Sequence, residues 1–278
     1  MLISAGLLKG KKCFAFPSLK PIIEFAGGNW WARLAENPLG IDITACVMDG
    51  NILSTLGWPA HAEYLEILLR SIGAKITRTR DNAVLFLCGD FVEDYEIYAP
   101  FKALQSLRCK VSPSKKEGES CVTAIYDEEG TSKVSSEKRG HNFVLTSKWN
   151  DICVDNYDCF VVPGGRSPEF LVMNEKVLTL VKEFEEKNKV IAGIGQGLWL
   201  LAAAGVLKDK KCASSYAMKA IVKVAGGESE EFTECVTPGK LVTAIGWPAL
   251  PSLVCRWYFD CNFLHINKIK EAFICICI

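Results

Sequence analysis

One short stretch constrains the fold of this chain most, because it changes character abruptly in its middle. Val190–Ile194 is apolar and rich in β-branched residues, whereas residues 198–206 have a helical composition. The small residues Gly195 and Gly197, separated by Gln196, stand between them. A strand that turns sharply into a helix is typical of a nucleophile elbow, which presents one side chain at the carboxyl edge of a parallel sheet. The stretch therefore predicts an α/β domain with a candidate site at Gly195.

Further strands and helices alternate around this stretch. The predicted strands are 83–88, 159–162 and 241–245, and the predicted helices are 98–107, opening near Pro100, and 175–187. Strands that alternate with helices predict a parallel sheet covered on both faces, with ligands outside the carboxyl ends of the strands. The mostly polar segment 110–147 is predicted to be a loop or hairpin insertion.

The chain also repeats itself. Three blocks recur in the same order: residues 6–13 match 205–212, residues 26–28 match 225–227, and residues 50–60 match 239–249. Such a pattern indicates duplicated domains. The first copy lacks any counterpart of the elbow stretch.

The repeat predicts a division of the chain into four parts. Residues 1–74 are the C-terminal half of a first domain, 75–82 a linker, 83–255 a complete domain, and 256–278 a divergent tail. An alternative interpretation is that residues 1–74 form a helical extension of the second domain.

Composition argues against binding to nucleic acid, membranes or metal ions. The formal net charge is zero over 278 residues, which gives no reason to expect binding to nucleic acid or to a membrane surface. No apolar run approaches the roughly 20 residues of a membrane-spanning helix. The thirteen cysteines are dispersed and only three histidines are present. This favours reduced, mostly buried thiols in a cytoplasmic or nuclear protein, with no metal site.

Four blocks carry a family resemblance: 87–96, 161–166, 194–197 and 200–207. They resemble the DJ-1/PfpI family, and the Gly-Trp-Pro-Ala blocks together with residues 140–143 are similar to its tandem-domain plant members. The resemblance implies a flavodoxin-like three-layer α/β sandwich with a parallel sheet, association into homo-oligomers, and no cofactor. The activities that it implies are metal- and glutathione-independent glyoxalase, deglycation, chaperone-like action and, in some branches, peptidase activity.

The elbow departs from that family's pattern. The resemblance implies a Cys followed by His, where this chain has Gly195 and Gln196. Without sulfur no thiolate can add to an aldehyde, and the oxidation-sensitive thiol is lost too. A glycine also relieves elbow strain on the order of 1–3 kcal/mol. The leading expectation is a silent or weak homologue with a binding or stress-response role. The alternative is a glyoxalase III-type lyase, or a related hydrolase-type activity, that uses the remaining pocket residues.

The resemblance also assigns roles around the elbow. Glu96 would contact the elbow residue; the alternative is a surface carboxylate at a helix start. Gly164 and Gly165 would direct backbone N–H groups at a developing oxyanion. The alternative is a plain strand-end turn, and both interpretations can hold together. Arg166 would bind a carboxylate or face solvent. The expected ligand is a small aldehyde or a carboxylate.

Two further residues are candidate participants in the site. Cys88 lies at the end of the first predicted strand of the complete domain and could act as a substitute nucleophile, but a strand cysteine is more often buried and inert. His141 lies in the insertion and is predicted to be a structural hydrogen-bonding residue.

Overall fold

A computed structural model describes residues 2–74, 82–107, 109–114, 120–127, 136–147, 149–230 and 233–260. The chain divides into two compact units, which are described separately. Of the described residues, unit 1 contains 2–74 and 102–107, and unit 2 contains 82–101 and those from 109 to 260. None of the helices in these ranges is long and apolar enough to cross a bilayer.

Unit 1 is built from short elements. In chain order they are β1 (Lys12–Cys13), α1 (Lys20–Phe25), β2 (Asn29–Trp30), β3 (Cys46–Asp49), β4 (Ile52–Thr55) and α2 (His61–Ser71). Strands β1 and β2 pair in parallel, and β3 and β4 form an antiparallel hairpin. Two small apolar clusters stabilise these pairs, one around Ile23 and the other around Phe14.

Unit 2 contains the longer elements. In chain order they are β5 (Ala83–Leu87), β6 (Val92–Glu93), α3 (Asp94–Ser106), β7 (Lys110–Ser114), β8 (Ser120–Asp127), β9 (Ser136–Val144), β10 (Cys159–Val162), α4 (Ser167–Leu171), α5 (Glu175–Glu186), β11 (Val190–Ile194), α6 (Gly197–Ala203), β12 (Lys211–Ala213), α7 (Lys219–Val224), β13 (Glu228–Glu230), β14 (Cys235–Val236), β15 (Leu241–Ala244) and α8 (Leu250–Asp260). The final turns of α3 belong to the residues grouped with unit 1.

The central sheet of unit 2 has the strand order β14-β15-β11-β10-β5-β7. Every neighbouring pair is parallel except β14 and β15. Its inner strands are buried throughout, because helices cover both faces: Phe160 stacks on Phe184 of α5, and Phe86 packs edge-on against Phe101 of α3. This arrangement confirms the predicted α/β, flavodoxin-like fold.

The structure corrects one predicted helix boundary. Helix α3 begins at Asp94 rather than near Pro100, which lies inside it. The reason is the side chain of Glu93, whose Oε2 accepts the Glu96 N–H at 2.7 Å and so caps the first turn. The cap fixes the start of the helix before the proline is reached.

The insertion at 110–147 is also more ordered than predicted. Strands β8 and β9 form the expected hairpin, to which β6 adds a third strand. Strand β7, however, belongs to the central sheet and pairs in parallel with β5. Its polar sequence, which includes Pro113, does not have the apolar pattern that predicts a strand. Such a sequence is compatible with an edge strand, because an edge strand tolerates both proline and polar side chains.

The repeated sequence blocks adopt the same local pairings in both units. Strands β12 and β13 are parallel like β1 and β2, and β14 and β15 are antiparallel like β3 and β4. The predicted division into domains stays a prediction. Residues 75–81 of the linker and 261–278 of the tail lie outside the described residues, although α8 continues to Asp260.

The cysteines agree with the expected reduced state. Ten lie within the described ranges, and none of these ten forms a disulfide. Seven are buried, namely Cys13, Cys46, Cys88, Cys121, Cys159, Cys212 and Cys235. Burial raises the pKa of Cys212 to about 11, so this thiol stays protonated at neutral pH.

Candidate active site

Gly195 occupies the tight turn that the sequence predicts. It follows β11 and has a left-handed φ of +50°. Its N–H donates to the carbonyl of Ala244 at 3.0 Å, which holds the turn against the end of β15. A residue with a side chain would store on the order of 1–2 kcal/mol of strain in this conformation. The backbone geometry of an elbow is therefore present, with no side chain upon it.

The carboxyl group of Glu96 lies directly beside this turn. The side chain is only 2% exposed, so the alternative of a surface carboxylate is wrong. Its Oε2 accepts the Gly164 N–H at 2.6 Å, and the carboxyl group also accepts the backbone N–H of Trp247. A Cβ placed on Gly195 would lie 3.0 Å from Glu96 Oε1. The carboxyl thus borders the space that an elbow side chain would enter.

The environment of Glu96 favours its neutral form. Burial raises the pKa of this carboxyl to about 7, against the opposing effect of the two backbone N–H donors. The neighbouring Glu93 is also buried. Burial, followed by the charge of Glu96, raises the pKa of Glu93 to about 8. Two buried carboxyl groups with raised pKa values, the second raised in part by the charge of the first, therefore lie together at the base of the site.

Gly164 and Gly165 lie where neighbouring atoms leave no room for a side chain. The Gly164 N–H is bonded to Glu96, so it does not point at an open oxyanion position, which corrects that expectation. A Cβ on Gly164 would lie 2.7 Å from Glu96 Oε2. Gly165 has φ +76°, and a Cβ there would lie 2.4 Å from the backbone nitrogen of Glu93. The strand-end turn after β10 is thus packed against the backbone of β6 and against the side chain of Glu96 in the first turn of α3.

Gln196 and Arg166 lie at the outside of the site. Gln196 is exposed just before α6, and its Oε1 would be 2.9 Å from a Cβ on Gly164. Arg166 is half exposed and forms ion pairs with Glu137 and Glu169, both at 3.6 Å. Its charge is therefore balanced by two carboxylates, which weakens the case for it as a ligand-binding residue.

The two remaining sequence candidates have structural contacts. Cys88 is buried, with Sγ 3.7 Å from the carbonyl oxygen of Phe86. His141 Nδ1 lies 3.0 Å from Asp94 Oδ1, and its backbone N–H donates to Thr123 Oγ1 at 2.7 Å. These contacts support the structural role predicted for His141 and the inert interpretation of Cys88.

Sequence reasoning missed Glu93 and Trp247 as members of the site. A signal existed for each of them. Glu93 precedes Glu96 by three residues, which is the spacing at which a side chain caps a first turn. Trp247 belongs to the repeated Gly-Trp-Pro-Ala block, which follows the end of β15.

Comparison with known proteins agrees with this geometry. The profile of the DJ-1/PfpI family matches residues 82–257. The chain is 55% identical over 260 residues to DJ-1 protein homolog E of Arabidopsis thaliana, an alignment that covers 91% of this chain and 65% of that protein. It is 31% identical over 161 residues to a deglycase of Thermococcus kodakarensis, covering 58% of this chain and 88% of the deglycase.

A solved structure shows the same fold. The ThiJ/PfpI domain protein of Brachyspira murdochii superposes with a TM-score of 0.55 at 20% identity, covering 66% of this chain and 98% of that one. The chain spans only about two thirds of the length of its plant relatives. The profile match, the identity to these relatives and the shared fold lead to one conclusion: this chain belongs to the DJ-1/PfpI family.

Proposed function

We propose that this chain is a DJ-1/PfpI protein without thiol-dependent catalysis, which acts by binding or association. One observation carries the proposal. The elbow position is Gly195, in a left-handed turn, with the Glu96 carboxyl 3.0 Å from the place of its missing Cβ. Glycine supplies no nucleophile, and a covalent adduct with a carbonyl compound needs one at this point.

The surroundings of Gly195 support the same proposal. The Gly164 N–H, which a catalytic site would direct at a developing negative charge, is bonded to Glu96 instead. Gln196, at the position of the expected histidine, has an amide side chain that does not titrate near neutral pH. The nucleophile and the imidazole are therefore absent from the elbow, and one expected oxyanion donor is bonded to Glu96 instead.

A glyoxalase or deglycase activity is the second candidate. It is favoured by the buried Glu96, because its pKa of about 7 suits a general acid–base at neutral pH. The matched Thermococcus protein is named a deglycase, which is compatible with this candidate. In such an enzyme Glu96 would exchange a proton with a small carbonyl compound without a covalent intermediate at residue 195.

Restoring the two elbow side chains separates these candidates. We expect the full chain to consume methylglyoxal no faster than a heat-denatured control, and Gly195→Cys/Gln196→His to consume it measurably faster. The new Cβ enters a left-handed conformation beside Glu96, so the variant should lose about 1–2 kcal/mol of unfolding free energy. Circular dichroism and urea unfolding check that both proteins fold.

Turnover by the unmodified chain would overturn the proposal. Loss of that turnover in Glu96→Gln, but not in Cys88→Ser, would then identify the acid–base candidate. The reverse pattern would identify Cys88 as a substitute nucleophile. If both the full chain and the double variant fold but remain inactive, the proposal of a silent protein stands. The pocket then lacks more of what catalysis needs than the side chains at positions 195 and 196.

A further inference from the structure

A concave groove lies on the surface of unit 2, beside α5. One wall is formed by Trp149 and Ile152, which follow the β8–β9 hairpin, and the other by the face of α5 that runs from Glu175 to Glu183. The groove encloses about 290 Å³, at the lower end of the range of roughly 300–1,000 Å³ that is usual for small-molecule sites. None of its lining residues belongs to the candidate active site, so a role of this surface goes beyond the function proposed above. We call it the α5 groove.

The base of the α5 groove is apolar. Leu180 is only 8% exposed, and Trp149 and Ile152 pack against the same core cluster while remaining partly accessible to solvent. Aliphatic side chains accommodate a hydrocarbon chain, and an indole ring in addition attracts a cation positioned over its face. The base therefore favours a ligand that combines an alkyl chain with positive charge.

Oxygen acceptors line the rim along α5. Glu175, Thr179 and Glu183 recur at intervals of four and so share one face of the helix. Glu175 and Glu183 are attached about 12 Å apart along its axis, because an α-helix rises about 1.5 Å per residue. Between them, the Thr179 hydroxyl donates to the Glu175 carbonyl at 2.9 Å, which leaves its oxygen able to accept a further hydrogen bond. The rim thus offers acceptors to a ligand that donates.

Neighbouring cations do not neutralise the two carboxylates. In the part of the chain that the structure describes, neither Glu175 nor Glu183 forms an ion pair, and Lys187, just beyond the helix, pairs with Asp155 instead. Of the lining residues only Lys176 is basic, and its ammonium lies on a flexible four-carbon stem at the exposed edge. The groove therefore carries an excess of negative charge.

We propose that the α5 groove binds a linear polyamine, an alkyl chain with an ammonium group towards each end. The chain lies on Ile152 and Leu180 beside the indole of Trp149. The two ammonium groups face Glu175 and Glu183. The separation of these carboxylates favours two charged ends over a single metal ion, whose oxygen ligands converge on one point. The binding does not depend on the chemistry of the elbow.

Calorimetric titration of spermidine into the full chain tests this site. We expect saturable binding that weakens as the salt concentration rises, since the contacts join charges near the surface. Hexylamine carries an alkyl chain with a single ammonium group, so it should bind more weakly than spermidine. Hexanol has no charge and should bind more weakly still.

Three variants assign the binding to the α5 groove. Glu183→Gln should weaken spermidine binding about two- to fivefold, the range expected for loss of one exposed ion pair. Trp149→Leu should weaken it by a similar factor through loss of the cation–π contact. Lys176→Gln should strengthen it, because a repelling charge is removed. Glu186→Gln is the matched control, since Glu186 is an exposed carboxylate of the same helix outside the groove.

The polyamine site is wrong if spermidine does not bind saturably, if hexanol binds as tightly, or if Lys176→Gln binds more weakly than the unmodified chain. Equal weakening by Glu183→Gln and Glu186→Gln would also contradict it, because the polyamine would then be attracted only by the overall charge of the surface. If Trp149→Leu fails to fold, the three variants on α5 alter exposed side chains and keep the test valid. The methylglyoxal assay reports on the elbow alone, so failure of this proposal and failure of the proposed function are separate results.

Discussion

Replacement of Gly165 by alanine is expected to lower the unfolding free energy of unit 2 by about 2–5 kcal/mol. Its φ of +76° costs a residue with a Cβ about 1–2 kcal/mol. The added Cβ would also lie 2.4 Å from the Glu93 nitrogen and 2.5 Å from the Phe91 carbonyl oxygen. Both are backbone atoms that cannot rotate away, so strain from overpacking adds about 1–3 kcal/mol.

Gly239→Ala provides the matched control for this prediction. Gly239 has a similar φ of +67°, and a Cβ there would meet nothing within 4 Å. This variant should lose only the conformational part, about 1–2 kcal/mol. Urea unfolding of both variants measures the difference. Equal losses would show that the turn after β10 can move away from the backbone of β6, and that the close packing at this turn is not rigid.

The unfolding free energy is expected to fall by several kcal/mol, on the order of 6, as the pH rises from about 5 to 8. In the folded protein the pKa values of Glu96 and Glu93 are raised to about 7 and about 8, above the 4.5 of an exposed glutamate. Between pH 4.5 and these raised pKa values, the two carboxyl groups keep their protons in the folded state and have released them in the unfolded state. The stabilisation is complete below pH 4.5 and is lost as the pH passes through the raised values.

Glu93→Gln isolates this effect from other titrating groups. The glutamine oxygen can still accept the Glu96 N–H, while the titration of residue 93, whose pKa burial and the charge of Glu96 raise, is removed. Urea unfolding at several pH values should give a shallower fall for this variant than for the unmodified chain. Glu183→Gln, on the exposed face of α5, should reproduce the unmodified profile. A profile for Glu93→Gln that matches both would contradict the buried pair as the source.

Local chemistry made the central features of unit 2 predictable. A β-branched run that ends in glycines before a helix specifies both the strand and the turn at Gly195, so that position could be identified from the sequence. The burial of Cys159–Val162 follows equally from its apolar composition. The position of Glu96 came from the family resemblance, because a lone glutamate at a helix start is equally consistent with a solvated surface.

The features that were missed depend on contacts between distant residues. The start of α3 depends on the Glu93 cap. The strand character of β7 depends on its pairing with β5, which cannot be predicted from its polar sequence. The family resemblance assigns the Gly164 N–H to a developing oxyanion. Its actual acceptor, Glu96, is 68 residues away, and only the folded chain brings the two together.

The buried carboxyl of Glu96 has a consequence for the motions of unit 2. It joins three segments that are far apart in sequence: the first turn of α3, the turn at Gly164 and the turn at Trp247. Loops at the end of a sheet usually open one at a time, each with its own low free energy. Here the opening of any one segment breaks a hydrogen bond to a shared group that water does not reach. We therefore expect the three segments to be coupled, so that hydrogen exchange of their amides shows one cooperative opening.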